Sequence, residues 1–215
     1  MTTNVSPDAP VDELQWGQPA SHDRVTVTLN ALLDAGFAAE LVPTVDAARR
    51  RALELIPAGC SVFTSASETV RLSGLDEAIN HSGRYDAIRP RVWAMDRATE
   101  MAEIRGLSAT PDVVIGSVAA VTQTGAIVAV SASGSQLPAY SGGAGHMIWI
   151  VGSQKIVPDL PTAFERIEQY ALPLENARCE EAYGHPSAIN KVLIVHREPF
   201  QGRSTVLLVN KAIGY

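Results

Sequence analysis

Two short stretches of this 215-residue sequence combine residue types that could do chemistry. The first, Thr64-Ser65-Ala66-Ser67-Glu68-Thr69, follows the apolar triplet Ser61-Val62-Phe63. The second, Ser131-Ala132-Ser133-Gly134-Ser135, follows the β-branched run Ile127 to Val130, and Gly142-Gly143-Ala144-Gly145 lies a few residues beyond it. Small hydroxyl residues and glycines placed after a buried strand let the backbone approach a ligand and turn N–H groups toward an anion. Ser117, after Val113-Val114-Ile115-Gly116, stands in a third such position. A plainer reading competes with this one. A serine or threonine there caps the following helix, and a glycine there merely supplies positive φ. Neither stretch carries the GxxxxGK[ST] or GxGxxG spacing, so the pattern suggests a site without identifying its ligand.

The other candidates are single residues. His146 follows Gly145 at the start of the apolar run Met147 to Val151, where it could bind an anion, act as a general base, or simply cap the strand end. His185, in Tyr183-Gly184-His185-Pro186-Ser187, could line a crevice. Arg203 follows Gly202 in a turn and could grip a carboxylate bidentately, or pair with Glu198 on the surface. Lys155 could do no more than neutralise strand-end carbonyls. His22 and His81 read as surface residues and His196 as a strand end. The candidate ligand-binding set is therefore Ser67, Thr69, Ser117, Ser133, Gly134, Ser135, His146 and Arg203. No HxxxH, HExxH or Cys/His spacing supports a metal, and no GxSxG supports a hydrolase elbow.

These residues need elements to hold them. Val25, Leu29, Leu32 and Leu33 recur at helical spacing after Ser21, and Gly36 ends that helix. Phe37 to Val42 reads as a strand, and a second helix starts at Thr44 or Asp46 and stops at Pro57. After Phe63 one helix carries Leu72, Leu75, Ala78 and Ile79 to Gly83; Tyr85 to Arg91 is irregular, and Trp93 to Leu107 forms a further helix. The runs Val113–Ile115, Ile127–Val130 and Met147–Val151 suit strands buried on both faces. A helix follows Pro161, and Lys191–Val195 and Ser204–Val209 are the final strands. Helices alternating with buried strands predict an α/β fold: an open, mostly parallel sheet with helices on both faces and a ligand crevice at the carboxyl ends of its strands. Residues 1–15 are expected to be a loose tail and 16–215 one domain.

Composition removes several function classes. The net charge is −6 and the longest basic cluster is Arg49-Arg50-Arg51, which disfavours nucleic acid. Two cysteines, Cys60 and Cys179, lack metal-ligand spacing and point to a reducing cytoplasm. No signal peptide and no apolar run of membrane-spanning length appear, so a cytoplasmic protein with no membrane partner is expected. The sequence is compatible with a homodimer.

Several of these segments together resemble the lactate-utilisation (LUD) domain family. They are Gly116-Ser117, Ala120-Val121-Thr122-x-x-Gly125, Ala132-Ser133-Gly134-Ser135, Val151-Gly152-x-x-Lys155-Ile156-Val157-Pro158, Arg197-Glu198-Pro199-x-x-Gly202-Arg203, and the terminal Gly214-Tyr215. The resemblance runs from about Trp16 to Tyr215 and implies a fold similar to the NagB/RpiA/CoA-transferase superfamily. It also implies a link to bacterial lactate oxidation, in which longer relatives work beside iron–sulfur and oxidoreductase subunits. Those relatives carry cysteine clusters that this chain lacks, so no iron–sulfur cluster is expected on it, and its cofactor stays unknown. The chain also departs from the family pattern. Leu72 stands where a Glu is usual, Ala119, Gln123 and Ser131 where acidic or amide groups are common, and Gln136 where an Arg is common.

Two functions are consistent with this reading: a protein of lactate or related organic-acid metabolism that binds a small anionic molecule in the loop crevice, or a non-catalytic accessory subunit that docks an iron–sulfur or flavin redox partner. A transferase with a glutamyl intermediate is disfavoured. Glu68 is the one carboxylate of the first loop, and it is displaced from the position such a glutamate would need.

Overall fold

The computed structural model describes residues 12–215. The tail expected over residues 1–15 lies outside the described residues up to residue 11, and Glu13–Trp16 beyond it forms a helical turn, α1. Then follow α2 (His22–Asp34), β1 (Ala38–Val42), α3 (Val45–Leu55), β2 (Ser61–Thr64), α4 (Glu68–Leu72), α5 (Leu75–Asn80), β3 (Asp86–Ala87), α6 (Ile88–Ala94) and α7 (Met101–Ala109). The second half holds β4 (Val113–Gly116), β5 (Ala120–Thr122), β6 (Ile127–Ser131), β7 (His146–Gly152), β8 (Ile156–Val157), α8 (Leu160–Arg166), α9 (Leu172–Tyr183), β9 (Lys191–Val195) and β10 (Ser204–Val209).

Six strands form one sheet in the order β1-β10-β7-β4-β2-β3, and every pairing in it is parallel. Strand β7 shows why its sequence is so uniformly apolar. Met147, Trp149 and Val151 point to one face, with Val25 and Leu32 of α2 and with Val206 and Leu208 of β10. Ile148 and Ile150 point to the other, with Ala48 and Ala52 of α3 and Leu75 and Ile79 of α5. Each such fully buried side chain contributes about 1.5–3 kcal/mol. Successive side chains alternate faces, so only a strand covered on both sides can be apolar throughout. The fold is α/β, as the alternation of elements implied.

The second-half strands do not all join that sheet. β5, β6, β8 and β9 form a separate four-stranded sheet in the order β8-β5-β6-β9, with β5–β6 and β6–β9 antiparallel. One of its faces packs into the core shared with β7, through Val121, Ile127, Ala129 and Ile156. The other carries Ala120, Val128 and Val157 and is covered by Ala163 of α8, Ile167 and Tyr170.

Three helical expectations need correction. The single helix after Phe63 is two, α4 and α5, because Gly74 adopts φ 69° between them. Residues 85–91 are not irregular, since Pro90 sits in the first turn of α6, where its missing N–H has no intrahelical partner to lose. The helix expected over residues 93–107 is interrupted. The Asp96 carboxylate accepts from the Ala98 N–H and the Thr99 hydroxyl, and the Glu100 carboxylate accepts from the Asp96 N–H at 2.6 Å. That locally satisfied turn competes with helix, and a new helix begins at Met101.

Candidate functional site

Strands β2, β4 and β7 are parallel, so the segments that follow them emerge on one side of the sheet. A cavity of about 330 Å³ lies there. Ala66, Ser67 and Glu68 after β2 line it, as do Ser117 and Val118 after β4, Lys155 after β7 and Tyr215 after β10. The opposite wall comes from Ala129 to Ser133 of β6 and the loop beyond it, and from Glu175 and Arg178 of α9. A side recess of about 70 Å³ continues past Ser67 toward Arg71, Arg89 and Arg178.

Lys155 is the residue that sets the chemistry. After Gly152 the chain turns through Ser153–Lys155, and the buried Gln154 holds that turn against the C-terminal segment. Its amide donates to the carbonyls of Ile213 and Gly214 at 3.1 and 2.8 Å. The turn carries Lys155 inward to 1% exposure. Its Nζ donates to the Thr69 hydroxyl at 2.9 Å, the Ser117 hydroxyl at 3.0 Å and the Val118 carbonyl at 3.0 Å. Thr69 in turn donates to Ile213 O and Ser117 to Ile150 O, so both hydroxyls present lone pairs to the amine. Arg166 on α8 is also fully buried. Its Nη1 donates to Ala119 O at 2.6 Å and its guanidinium lies 5.0 Å from the Tyr170 ring centroid, but its Nε and Nη2 have no hydrogen-bond partner.

Among the described residues, no carboxylate pairs with either cation. Burial, reinforced by the positive charge of Arg166, drives the Lys155 amine well below the usual lysine range, and burial also lowers Arg166 to about 10. The carboxylates that do line the cavity are committed elsewhere. Glu68 is engaged by Arg71, which holds its carboxyl below the usual range. Glu175 accepts from Arg178 at 2.6 Å and from the Tyr215 hydroxyl at 2.5 Å. Burial pushes the Glu175 carboxyl up, and these bonds outweigh that push and hold it low. The site is thus a cavity with small hydroxyls on two walls and an unpaired amine deep within it.

Of the residues singled out in sequence, Ser67, Ser117, Ser133 and Ser135 line this cavity, as does His185. Ser133 and Ser135 come from the loop after β6 of the four-stranded sheet, not from the six-stranded parallel one. Thr69 does not line it, because its hydroxyl is turned to Lys155 and Ile213. Gly134 takes φ 82°, but its N–H is bonded to the Ser131 hydroxyl at 2.8 Å. His146 and Arg203 are at the other edge of the sheet, where β7 and β10 begin. There His146 Nε2 meets the Thr205 hydroxyl at 2.9 Å and Arg203 pairs with Glu198. The run 142–145 belongs to that same edge. A side chain at Gly143 would fall 2.0 Å from the Ala109 carbonyl, so backbone packing alone explains that glycine.

Sequence reasoning passed over Lys155, Tyr140, Arg166 and Glu175. The sequence around Lys155 carries no distinguishing signal, since all three lysines are followed by two apolar residues. Gly116 carries one, in retrospect. A Cβ there would lie 1.9 Å from the hydroxyl of Tyr140, which lines the cavity and packs edge-on against Trp149 with ring centroids 4.5 Å apart. No three His, Cys, Asp or Glu side chains among the described residues come together as a metal site would require. No helix among them is long and apolar enough to cross a membrane.

Comparison with known families gives a match to the LUD domain over residues 25–209. No curated protein matches. Among solved structures, a DUF162 family protein from Deinococcus radiodurans superposes with a TM-score of 0.52 at 15% identity, covering 89% of this chain and 99% of that one. Initiation factor eIF2B beta from Chaetomium thermophilum superposes with a TM-score of 0.38 at 16% identity, over 55% of this chain and 44% of that one.

Proposed function

Since this chain belongs to the LUD domain family, we propose that it serves lactate or related organic-acid utilisation by binding a small anionic molecule in the cavity beside Lys155. The observation that carries this reading is the fully buried Lys155 amine, without a carboxylate partner, lining a cavity walled by serine hydroxyls. Burial without a counter-charge disfavours the protonated amine, and a ligand carboxylate in the cavity supplies the negative charge that favours it. Ser67, Ser133 and Ser135 line the same cavity, which supports a role in orienting that carboxylate.

Isothermal titration against lactate, pyruvate, nucleotides and acyl-CoAs tests the proposal. Failure of all of them to bind at millimolar concentration would overturn it. Losing a hydrogen bond to a charged group costs about 1.5–3 kcal/mol, or roughly one to two decades in affinity. Ser133→Ala is therefore expected to weaken binding by ~10- to 100-fold. Ser133 is exposed, and the hydroxyl that the substitution removes bonds only within its own loop, so the variant's stability should stay within about 1 kcal/mol of wild type. Ser67→Ala should weaken binding similarly. It also removes the N-cap of α4, whose hydroxyl lies 3.5 Å from the Val70 nitrogen, and a small stability loss accompanies it.

A second reading, an accessory subunit that docks a redox partner, is favoured by exposed apolar and aromatic side chains. Tyr183 lines the cavity and is 58% exposed, Leu72 on α4 is 51% exposed, and Trp93, under the Arg89 guanidinium, is 65% exposed. Recovery of a stoichiometric iron–sulfur or flavoprotein partner from the native host, together with a cavity that binds none of the acids above, would select it.

A further inference from the structure

We infer that the arginine-lined recess beside the main cavity is a phosphate subsite, and that the ligand is a phosphorylated organic acid with its carboxylate beside Lys155 and its phosphate among Arg71, Arg89 and Arg178. This inference rests on the anion-binding reading above and names a second anionic group on the same ligand.

Three separate elements deliver those arginines to one recess of about 70 Å³: Arg71 from α4, Arg89 from α6 and Arg178 from α9. Each is held by the protein's own groups. Nη1 of Arg89 donates to the carbonyls of Thr64 and Ser65 at 3.3 and 2.9 Å, and its guanidinium lies 4.6 Å from the Trp93 ring centroid. Among the described residues no carboxylate pairs with Arg89, and its Nε and Nη2 make no hydrogen bond. Arg71 holds Glu68 through Nε and Nη2, which leaves its Nη1 open. Arg178 grips Glu175 through the same two nitrogens, at 2.8 and 2.6 Å. Asp76 also lines the recess, but it forms no ion pair with any of the three, and its carboxylate accepts from the Glu77 N–H at 2.9 Å.

The chemistry of the donors selects the ligand group. A single guanidinium satisfies both oxygens of a carboxylate, as Arg71 does for Glu68. A phosphate monoester carries three terminal oxygens and up to two charges, so it can take N–H donors from more than one arginine at once. The recess has the volume of roughly two waters in the liquid, which admits a phosphate group and no ring. The acid part follows from continuity. Ala66, Ser67, Glu68 and Arg178 line both the recess and the main cavity, so one ligand can occupy both, with its carboxylate on the side of Lys155. Joining two anionic groups in one molecule makes the second contact intramolecular, and affinity then exceeds that of either group alone.

The test is isothermal titration of the full chain with inorganic phosphate, lactate, 3-phosphoglycerate and AMP. Inorganic phosphate should bind, and 3-phosphoglycerate should bind at least ~tenfold more tightly than phosphate, lactate or AMP. Arg71→Gln and Arg89→Met should each weaken phosphate and 3-phosphoglycerate by ~10- to 100-fold. Lactate should stay within about twofold of wild type in both variants, since neither arginine lines the main cavity. Arg91→Gln removes an exposed charge outside the recess and should match wild type with all of these probes. The Arg71 side chain is 61% exposed, so its variant keeps the test decisive even if Arg89→Met, which frees the Thr64 and Ser65 carbonyls, folds poorly. Lactate binding without phosphate binding, or phosphate binding that both arginine variants leave unchanged, overturns the recess and leaves the carboxylate site standing. Arginine-dependent phosphate binding with no gain for 3-phosphoglycerate over phosphate or AMP overturns the phosphorylated acid. Binding of no probe overturns both readings.

Discussion

Lys155→Met is expected to abolish a rise of stability with pH that the wild-type chain shows below pH 10.5, down to the lowered value of the buried amine. Unfolded, the amine keeps its proton up to its ordinary value of 10.5. Folded, burial and then Arg166 release the proton at lower pH. Across the interval between the two, the unfolded chain binds more protons, so stability increases with pH and is lost again as pH falls toward the folded value. The slope approaches about 1.4 kcal/mol per pH unit where folded and unfolded chains differ by one proton. Cys60 and Cys179, raised by burial from 9.0, oppose the rise near and above that pH, and they do so equally in both proteins. His146 is lowered by burial from 6.5 and acts below it, whereas Arg166, lowered to about 10, acts above it. Urea unfolding at several pH values measures the slopes of wild type and variant. The slope is the decisive quantity, because the intercept mixes opposing effects: the Val118 carbonyl and two hydroxyls lose a donor, while the cost of burying an amine disappears. Equal slopes for the two proteins would show that Lys155 keeps an ordinary proton affinity.

The second large effect is expected at the opposite edge of the sheet. Glu198→Ala should destabilise the fold by about 3–5 kcal/mol, the usual cost of removing one partner from a buried ion pair. Glu198 is 4% exposed, and its carboxylate accepts from Arg203 Nη2 at 2.5 Å, from the Ser204 hydroxyl at 2.8 Å and from the Phe200 N–H at 3.1 Å. Arg203 has no second partner to fall back on, since its Nη1 is already buried and unbonded. The same residue ties its loop to the end of α2. Its N–H donates to Ala35 O at 2.9 Å, and its carbonyl lies where a Cβ on Gly36 would come within 2.2 Å. Burial pushes the Glu198 carboxyl up, but these hydrogen bonds outweigh it and hold it below 4.5. Its contribution is therefore complete above pH 4.5 and lost as pH falls through the lowered value. Chemical denaturation at pH 7 checks the first statement and acid unfolding the second. A loss below about 1 kcal/mol would mean that the pair behaves as a surface bridge. Because this cluster is remote from the cavity, any variant that still folds should bind organic acids as wild type does.

The separation of these two clusters marks the boundary between what sequence and structure each decide. Local rules that act through neighbouring residues were legible. Ser21 and Thr44 cap α2 and α3 as their hydroxyl chemistry requires, and the uniformly apolar run of β7 reported a strand covered on both faces. The placing of Ser67 and Ser117 near one another followed from the parallel order of β2 and β4, which alternating helices and strands imply. The family could also be read from motifs along the chain, and the match over residues 25–209 establishes it.

What stayed hidden depended on contacts between residues far apart in the chain. The runs of β6 and β7 look alike in sequence, yet one joins an antiparallel sheet and the other the centre of a parallel one, because hydrophobicity reports burial and not pairing partner. His146 and Ser133 both sit beside glycines next to apolar runs, but one precedes its strand and the other follows its own, which puts them at different edges of the molecule. Thr69 and Gly134 have the residue types of anion contacts, but their polar groups are taken by Lys155 and Ser131. Lys155 itself is separated by 86 and 38 residues from the two hydroxyls that hold it, and Arg166 reaches it from another helix. No local pattern distinguishes a lysine that is solvated from one buried without a counter-charge. That difference is made by desolvation, and only the packed tertiary structure removes the water.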